Sequence, residues 1–251
     1  MSPNNGKTFW IIGCSTGIGY ALAEHLSMQG AHLILSARSK DKLDALNERL
    51  GGRHLVAAFD IGDARSTQEA FTAIQGQCEK IHSALFLAAS YSPHNGQRKA
   101  INEIHDMLRI NLGGAFNMID VIEPYFEKQG FGQIVLCGSV AGYRGLPFGQ
   151  PYCATKAAII NLAESLKTEL RPKNIDVKVI NPGFVKTPLT DKNSFPMPMM
   201  ITADKAAEAI AKGLNRSAFE IHFPKRFTYL MKLLHIMPNW LYLTLARAIK
   251  P

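Results

Sequence analysis

Tyr152 and Lys156 stand four residues apart in the run Tyr152-Cys153-Ala154-Thr155-Lys156. On a helix that spacing places both side chains on one face, one turn apart. An ammonium beside a phenol stabilises tyrosinate, so the pair predicts a phenol pKa lowered from about 10 toward the working range of a general acid or base. Tyr-x3-Lys arises often by chance, and its surroundings decide its weight. Gly138-Ser139 lies thirteen residues before Tyr152, directly after an apolar strand-like run, and supplies a hydroxyl for a substrate oxygen.

A second constellation is Gly13-Cys14-Ser15-Thr16-Gly17-Ile18-Gly19, between the first strand-like run and the first helical pattern. Glycines let the chain turn sharply, and the helix that follows offers unpaired N–H groups and a positive dipole end to a pyrophosphate. Ser15 and Thr16 add hydroxyl donors. The spacing G-x3-G-x-G differs from the common dinucleotide pattern G-x-G-x-x-G. Any tight strand-to-helix turn also uses glycine, so the position of the turn carries the argument. The second strand-like run ends Ser36-Ala37-Arg38-Ser39-Lys40. Sites for NAD place an acid about 20 residues beyond the glycines to hold the ribose 2′-hydroxyl. Here there is none, and the Arg38 guanidinium is suited to a bidentate pair with a 2′-phosphate. That favours NADP(H) over NAD(H); the plain alternative is a solvated arginine. Asp60, in Phe59-Asp60-Ile61, either accepts from an adenine amino group or helps start the helix after Asp63.

These residues need elements to hold them. Short apolar runs at 8–12, 31–36, 54–59, 83–88, 133–137, 176–180 and 219–223 alternate with helical patterns such as Ile18-Ala21-Leu22-His25-Leu26 and Ile159-Leu162-Ala163-Leu166-Leu170. Strands apolar nearly throughout are parallel and covered on both faces, and the alternation predicts a doubly wound α/β sheet flanked by helices. At 251 residues, with 47% apolar and 19% charged, the chain fits one large domain over 1–224, extended by a tail over 225–251. No repeat or linker divides it. The proline-rich stretch 186–202 carries Phe195, Met197, Met199 and Met200; it is either a lid or substrate pocket beyond a strand's carboxyl end, or a surface loop stapled by those side chains.

The remaining composition excludes several classes. No run of 18 apolar residues predicts a spanning helix, and the N-terminal residues lack a secretory pattern. Four cysteines (14, 78, 137 and 153) form no CxxC pair or zinc spacing, so free thiols, a reducing cytoplasm and no metal site are expected. Cys14, Cys137 and Cys153 adjoin site residues, which makes redox control conceivable. Net charge is +8, but 221–251 holds five of the 28 cations (Lys225, Arg226, Lys232, Arg247, Lys250) and none of the 20 acids, which leaves +3 for the rest. A nucleic-acid binder would carry its basic surface on the body, so none is expected. The tail predicts two amphipathic helices, 227–237 and 240–249, broken at Pro238-Asn239. They either cover the substrate cleft, pack against a second subunit or lie on an anionic membrane surface.

In these motifs the chain strongly resembles the short-chain dehydrogenase/reductase superfamily, in its compact branch. The resemblance runs from Thr8 to about Phe223 and rests on the glycine turn 13–19, Asp60, Asn111 in Arg109-Ile110-Asn111-Leu112, Ser139, Tyr152, Lys156 and Pro182-Gly183 in family order. It implies a Rossmann-type fold and a homodimer or homotetramer. It also implies hydride transfer between nicotinamide and a ketone or aldehyde and its alcohol, with reduction favoured. By this resemblance Tyr152 is the acid or base, and Lys156 tunes it and binds the nicotinamide ribose. Ser139 holds the substrate oxygen, and Asn111 keeps a water in a proton relay behind Lys156. Pro182, Gly183, Val185 and Thr187 hold the carboxamide; Ile61 and Ala88 line the adenosine side. One departure stands out: Leu87-Ala88-Ala89-Ser90 replaces the usual Asn-Asn-Ala-Gly, removing two amides that brace the sheet. A rival reading is a silent dinucleotide-binding regulatory or scaffold protein; a third is a peripheral membrane protein. Phe148 and the 195–200 side chains point to an apolar substrate of moderate size.

Overall fold

The computed structural model describes residues 2–93 and 99–247. Its elements alternate as β1 (Thr8–Ile12), α1 (Gly17–Met28), β2 (His32–Ala37), α2 (Lys40–Arg49), β3 (Leu55–Ala58), α3 (Ala64–Gln75), β4 (Ser83–Phe86), α4 (Ile101–Leu108), α5 (Gly114–Gln129), β5 (Gly132–Cys137) and α6 (Tyr152–Glu169). There follow β6 (Ile175–Pro182), the two-residue β7 (Val185–Lys186) and β8 (Ile201–Thr202), α7 (Ala203–Leu214), β9 (Glu220–Phe223), α8 (Lys225–Ile236) and α9 (Asn239–Ala246). Seven strands pair in parallel in the order β3-β2-β1-β4-β5-β6-β9. This is the expected doubly wound α/β sheet.

The alternation of side chains along β1 shows why both faces are covered. Trp10 and Ile12 enter one core with Ile34, Phe86, Ile134 and Leu136, roofed by Phe71 of α3, Met118 and Phe126 of α5 and Ile159 of α6. Phe9 and Ile11 enter the other with Leu33, Leu35, Leu85 and Val135, roofed by Leu22 and Leu26 of α1, Leu43 of α2 and Ile210 of α7. Trp10 is wholly buried; its ring stacks on Phe71 at 5.3 Å and its indole N–H donates to Ser36 Oγ at 2.9 Å. Each such side chain contributes about 1.5–3 kcal/mol by leaving water.

Strand order reverses between β1 and β4, and a crevice opens there beyond the strands' carboxyl ends, where ligands of such sheets bind. The chain reaches it sooner than the sequence predicts, since β4 ends at Phe86 rather than Ala88. Leu87 still donates its N–H to Ile12 O at 2.8 Å before the backbone turns into the crevice. The 186–202 stretch is also less irregular than expected: β7 and β8 pair in parallel, Val185 with Ile201 and Lys186 with Thr202, and pin the loop at both ends.

Two helices form the tail, with the break at Pro238. Phe227 and Met231 of α8 pack on Val140, Tyr143, Leu146 and Phe184. Tyr242 of α9 donates its hydroxyl to Gly145 O at 2.7 Å. The structure thus packs the tail beside the crevice; its predicted end, including Ile249 and Lys250, lies outside the described residues. Among the described residues no helix is long and apolar enough to cross a membrane.

Candidate active site

The glycine turn after β1 is shaped by contacts that no side chain would fit. Gly13 has φ +97°, and a Cβ there would lie 2.5 Å from Ala88 N, so the ends of β1 and β4 meet backbone to backbone. Gly17 has φ +62° and opens α1. Thr16 precedes α1 without a side-chain cap, and no acid occupies the first turn. The first-turn N–H groups therefore face the crevice with their positive dipole end unopposed, a cradle that fits a diphosphate. The crevice forms a cavity of about 460 Å³ that reaches from Arg38 and Asp60 past the glycine turn to Ser139, Tyr152 and Lys156. Ser15, Ile18, Gly19, Ile61, Ala88, Pro182, Gly183, Val185 and Thr187 line it as well. Every sequence-predicted site residue lines this cavity except Asn111.

At the deep end, Ser139 follows β5 and Tyr152 opens α6. The Ser139 hydroxyl donates to Pro182 O at 3.5 Å and accepts from Ala141 N–H at 3.1 Å, and it lines the cavity together with Tyr152. Lys156, one turn along α6 and almost wholly buried, holds its ammonium 5.6 Å from the Tyr152 ring centroid and donates to Cys137 O at 2.7 Å. The expected lowering of the phenol pKa is not what this environment gives. Burial drives Tyr152 well above the ordinary tyrosine range, with Cys137 adding to it, and the nearby Ser139 hydroxyl opposes only part of the rise. Lys156 is itself pushed down by burial.

Asn111 does not line the cavity. It lies in a π-helical turn, Arg109–Gly113, between α4 and α5, and is fully buried. Its Oδ1 accepts from Ser90 N–H at 2.6 Å, and its Nδ2 donates to Ser90 O at 2.9 Å and to Thr155 Oγ1 at 3.2 Å. The side chain thus braces the segment after β4 against α6. Asp60 is also engaged: it accepts from Gly62 N–H at 2.9 Å and from Arg109 Nη1 at 3.0 Å. Burial pushes its pKa upward, but these donors and the Arg109 and Arg38 charges win and hold it below the usual carboxylate range. The start of α3 is capped instead by Asp63, which accepts from Ser66 N–H at 2.7 Å.

Cys14 is pushed up to about 12 by burial, and burial also raises Cys137 and Cys153. All three thiols are held protonated, which removes the basis for redox control. Residues not foreseen from sequence also line the cavity: Ser39 and Lys42 beside Arg38, and Tyr91, Thr190 and Lys192 at the substrate end. Tyr91 donates to Asn193 Oδ1 at 2.7 Å, and Lys192 Nζ donates to Tyr91 O at 3.2 Å, so the 186–202 loop is fastened to the segment after β4. Phe195, Met199 and Met200 of that loop remain exposed, as does Phe148.

A sequence model of the short chain dehydrogenase family matches residues 7–196. The chain belongs to this family. An uncharacterized oxidoreductase of Myxococcus xanthus is 28% identical over 253 residues and covers 100% of both chains. Among solved structures, a short-chain dehydrogenase/reductase from Burkholderia phymatum in complex with NAD superposes with TM-score 0.85 at 21% identity, covering 94% of this chain and 95% of that one. A short-chain dehydrogenase from Burkholderia cenocepacia in complex with NADP gives TM-score 0.83 at 22% identity, covering 98% and 99%. This short-chain dehydrogenase therefore has the family's fold over nearly its whole length.

Proposed function

We propose that this short-chain dehydrogenase is an NADP(H)-dependent oxidoreductase that interconverts a ketone or aldehyde with its alcohol, with Tyr152 as general acid and base. The observation that carries the reading is the convergence of Ser139, Tyr152 and Lys156 on one cavity with the glycine turn, the Lys156 ammonium lying 5.6 Å from the Tyr152 ring centroid. The dinucleotide supplies or accepts the hydride. The N–H groups of α1 and the Ser15 and Thr16 hydroxyls would hold its diphosphate. Arg38, with Ser39 and Lys42 beside it, would hold a 2′-phosphate, and no carboxylate at the end of β2 competes for a hydroxyl.

In reduction Tyr152 gives its proton to the substrate oxygen. A phenol held above its ordinary pKa is fully protonated near neutral pH and ready for that step. The Ser139 hydroxyl shares the developing negative charge on the substrate oxygen, and the nearby Lys156 ammonium stabilises the phenolate left behind. Pro182, Gly183, Val185 and Thr187 orient the carboxamide end. Asn111 acts here as a positioning residue, because its side chain fixes Ser90 and Thr155 rather than entering the cavity. Exposed Met199, Met200 and Phe195 favour an apolar substrate. We read the exposed Ile101, Leu108 and Phe116 of α4 and α5 as the face for a homodimer or homotetramer.

Tyr152→Phe tests the core of the reading. NADPH-coupled carbonyl reduction should vanish while NADPH still binds, as followed by nicotinamide fluorescence. Retained turnover would remove Tyr152 as the acid, and wild-type protein that binds cofactor but turns over no carbonyl or alcohol would favour the scaffold reading.

A further inference from the structure

The tail helices present apolar side chains on two sides. One side is used within the protein: Phe227 and Met231 of α8 and Tyr242 and Ala246 of α9 are buried. The other is not. Tyr229, Leu233 and Ile236 follow one another at four- and three-residue steps on α8, with Leu230 beside them, and all are exposed. Beyond Pro238 the pattern continues with Trp240 and Leu243; Ile236 is 76% and Trp240 72% exposed. Side chains of this size left in water along two consecutive helices call for a partner.

Charge identifies the kind. Lys225, Arg226 and Arg247 are exposed, and no acid occurs anywhere in 221–251. Glu220, the last acid before that segment in the sequence, is already bound to Lys232. A second copy of the chain, docked about a two-fold axis, would set these cations against each other with no acid between them. An anionic surface with an apolar interior meets both requirements, and Trp and Tyr suit its boundary.

We propose that α8 and α9 form a docking surface for an anionic lipid bilayer. The apolar surface continues inward from the tail. The Phe184 ring lies 5.4 Å from Phe227 of α8 and 6.0 Å from Phe195 of the 186–202 loop, whose first residues line the cavity. Docking would bring the cavity mouth close to substrates dissolved in the leaflet. That consequence rests on the proposed function; the docking surface does not, and its test needs no turnover.

The chain has two tryptophans. Trp10 is fully buried, so a change in emission on adding vesicles reports Trp240. The full chain is mixed with vesicles of phosphatidylcholine alone and with vesicles containing about one-third phosphatidylglycerol. A blue shift and co-sedimentation are expected with the second set, weakened by at least ~tenfold at about 0.5 M salt. Leu233→Gln/Ile236→Gln should lower vesicle binding at least ~tenfold, and Lys225→Gln/Arg226→Gln should erase the preference for the anionic lipid. All four positions are exposed, and circular dichroism with thermal melting verifies that the variants fold. Absence of binding, equal binding to both vesicle types, or binding unchanged in the apolar variant overturns the proposal. So does self-association abolished by Leu233→Gln/Ile236→Gln in a protein that ignores vesicles, which would assign the surface to a second copy.

Discussion

Tyr91 stands edge-on to Tyr152, with ring centroids 5.0 Å apart and planes at 69°, while its hydroxyl reaches across to Asn193 Oδ1 at 2.7 Å. One residue thus touches the candidate acid with its ring and the substrate loop with its oxygen. Tyr91→Phe keeps the ring contact and removes the tether, worth about 1 kcal/mol. Steady-state kinetics should show KM for the carbonyl rising several-fold with kcat changed less. Tyr91→Ala should lower kcat too, since Tyr152 then loses a packing partner. An unchanged KM in Tyr91→Phe would show that the loop holds its place without this bond.

The buried phenol sets the pH behaviour. Because burial raises the Tyr152 pKa, the acid form persists through neutral pH and the base form is scarce there. Carbonyl reduction should therefore be flat from about pH 6 to 8, while alcohol oxidation climbs steadily with pH over the same range. Rate profiles of kcat in both directions check this. A reduction rate that falls near neutral pH would point to a phenol lowered rather than raised in the working complex.

Arg38 should separate the two nicotinamide dinucleotides. Hydrogen bonds to a charged group contribute about 1.5–3 kcal/mol, so Arg38→Ala should weaken NADPH by roughly 10- to 100-fold and leave NADH nearly unchanged. In the wild type, fluorescence titration should give NADPH at least ~tenfold tighter, about 1.4 kcal/mol. Equal affinities would remove Arg38 as the phosphate reader and redirect substrate screens toward alcohol oxidation.

Glu220 joins β9 to the tail and to the loop after Ser139. Its carboxylate accepts from Asn181 Nδ2 at 2.7 Å and is also bound by the Tyr143 hydroxyl and the Lys232 ammonium. Burial works to raise its pKa, yet these three donors prevail and hold it below the usual carboxylate range. A carboxyl lowered on folding contributes its stability in full above the unfolded value, about 4.3, and loses it as pH falls through the folded value. Glu220→Gln should cost about 1–2 kcal/mol near neutral pH, and the gap to wild type should close in acid. Urea midpoints at about pH 7 and about pH 3 measure both.

The sheet was legible because its inner strands are short apolar runs buried on both faces, so hydropathy marks Thr8–Ile12 outright and finds the strand at Ser83–Phe86 while carrying it two residues too far. The linear motifs were legible for a related reason: glycines at a strand-to-helix turn, and Tyr152 four residues from Lys156, act through local spacing. What escaped depends on groups distant in sequence. Asn111 reads as a lone polar residue in a helix, and nothing local shows that Ser90, 21 residues away, takes up its side chain. The π turn that carries it leaves no periodic trace. Tyr91 is one aromatic in a segment without periodicity, and Lys42 is one cation on a charged helix, so only their convergence on the cavity marks them. The phenol shift was misjudged because four-residue spacing fixes the ammonium's place but not the burial around both groups.

The Arg144 side chain donates to His235 O at 3.0 Å and Asn239 Oδ1 at 2.6 Å, and its guanidinium lies 4.5 Å over the Tyr242 ring. His235 and Tyr242 grip the same short loop at Tyr143 and Gly145, only a few residues after Ser139. Deleting the tail is therefore not a neutral excision. A chain cut after Phe223 would lose the outer wall of the loop that carries the serine, and reduced turnover in it would say nothing about lipid or subunit contacts. Affinity tags and fusion partners at the carboxyl terminus are subject to the same concern. Point changes on the exposed face are the appropriate tool for separating what the tail touches from what it holds in place.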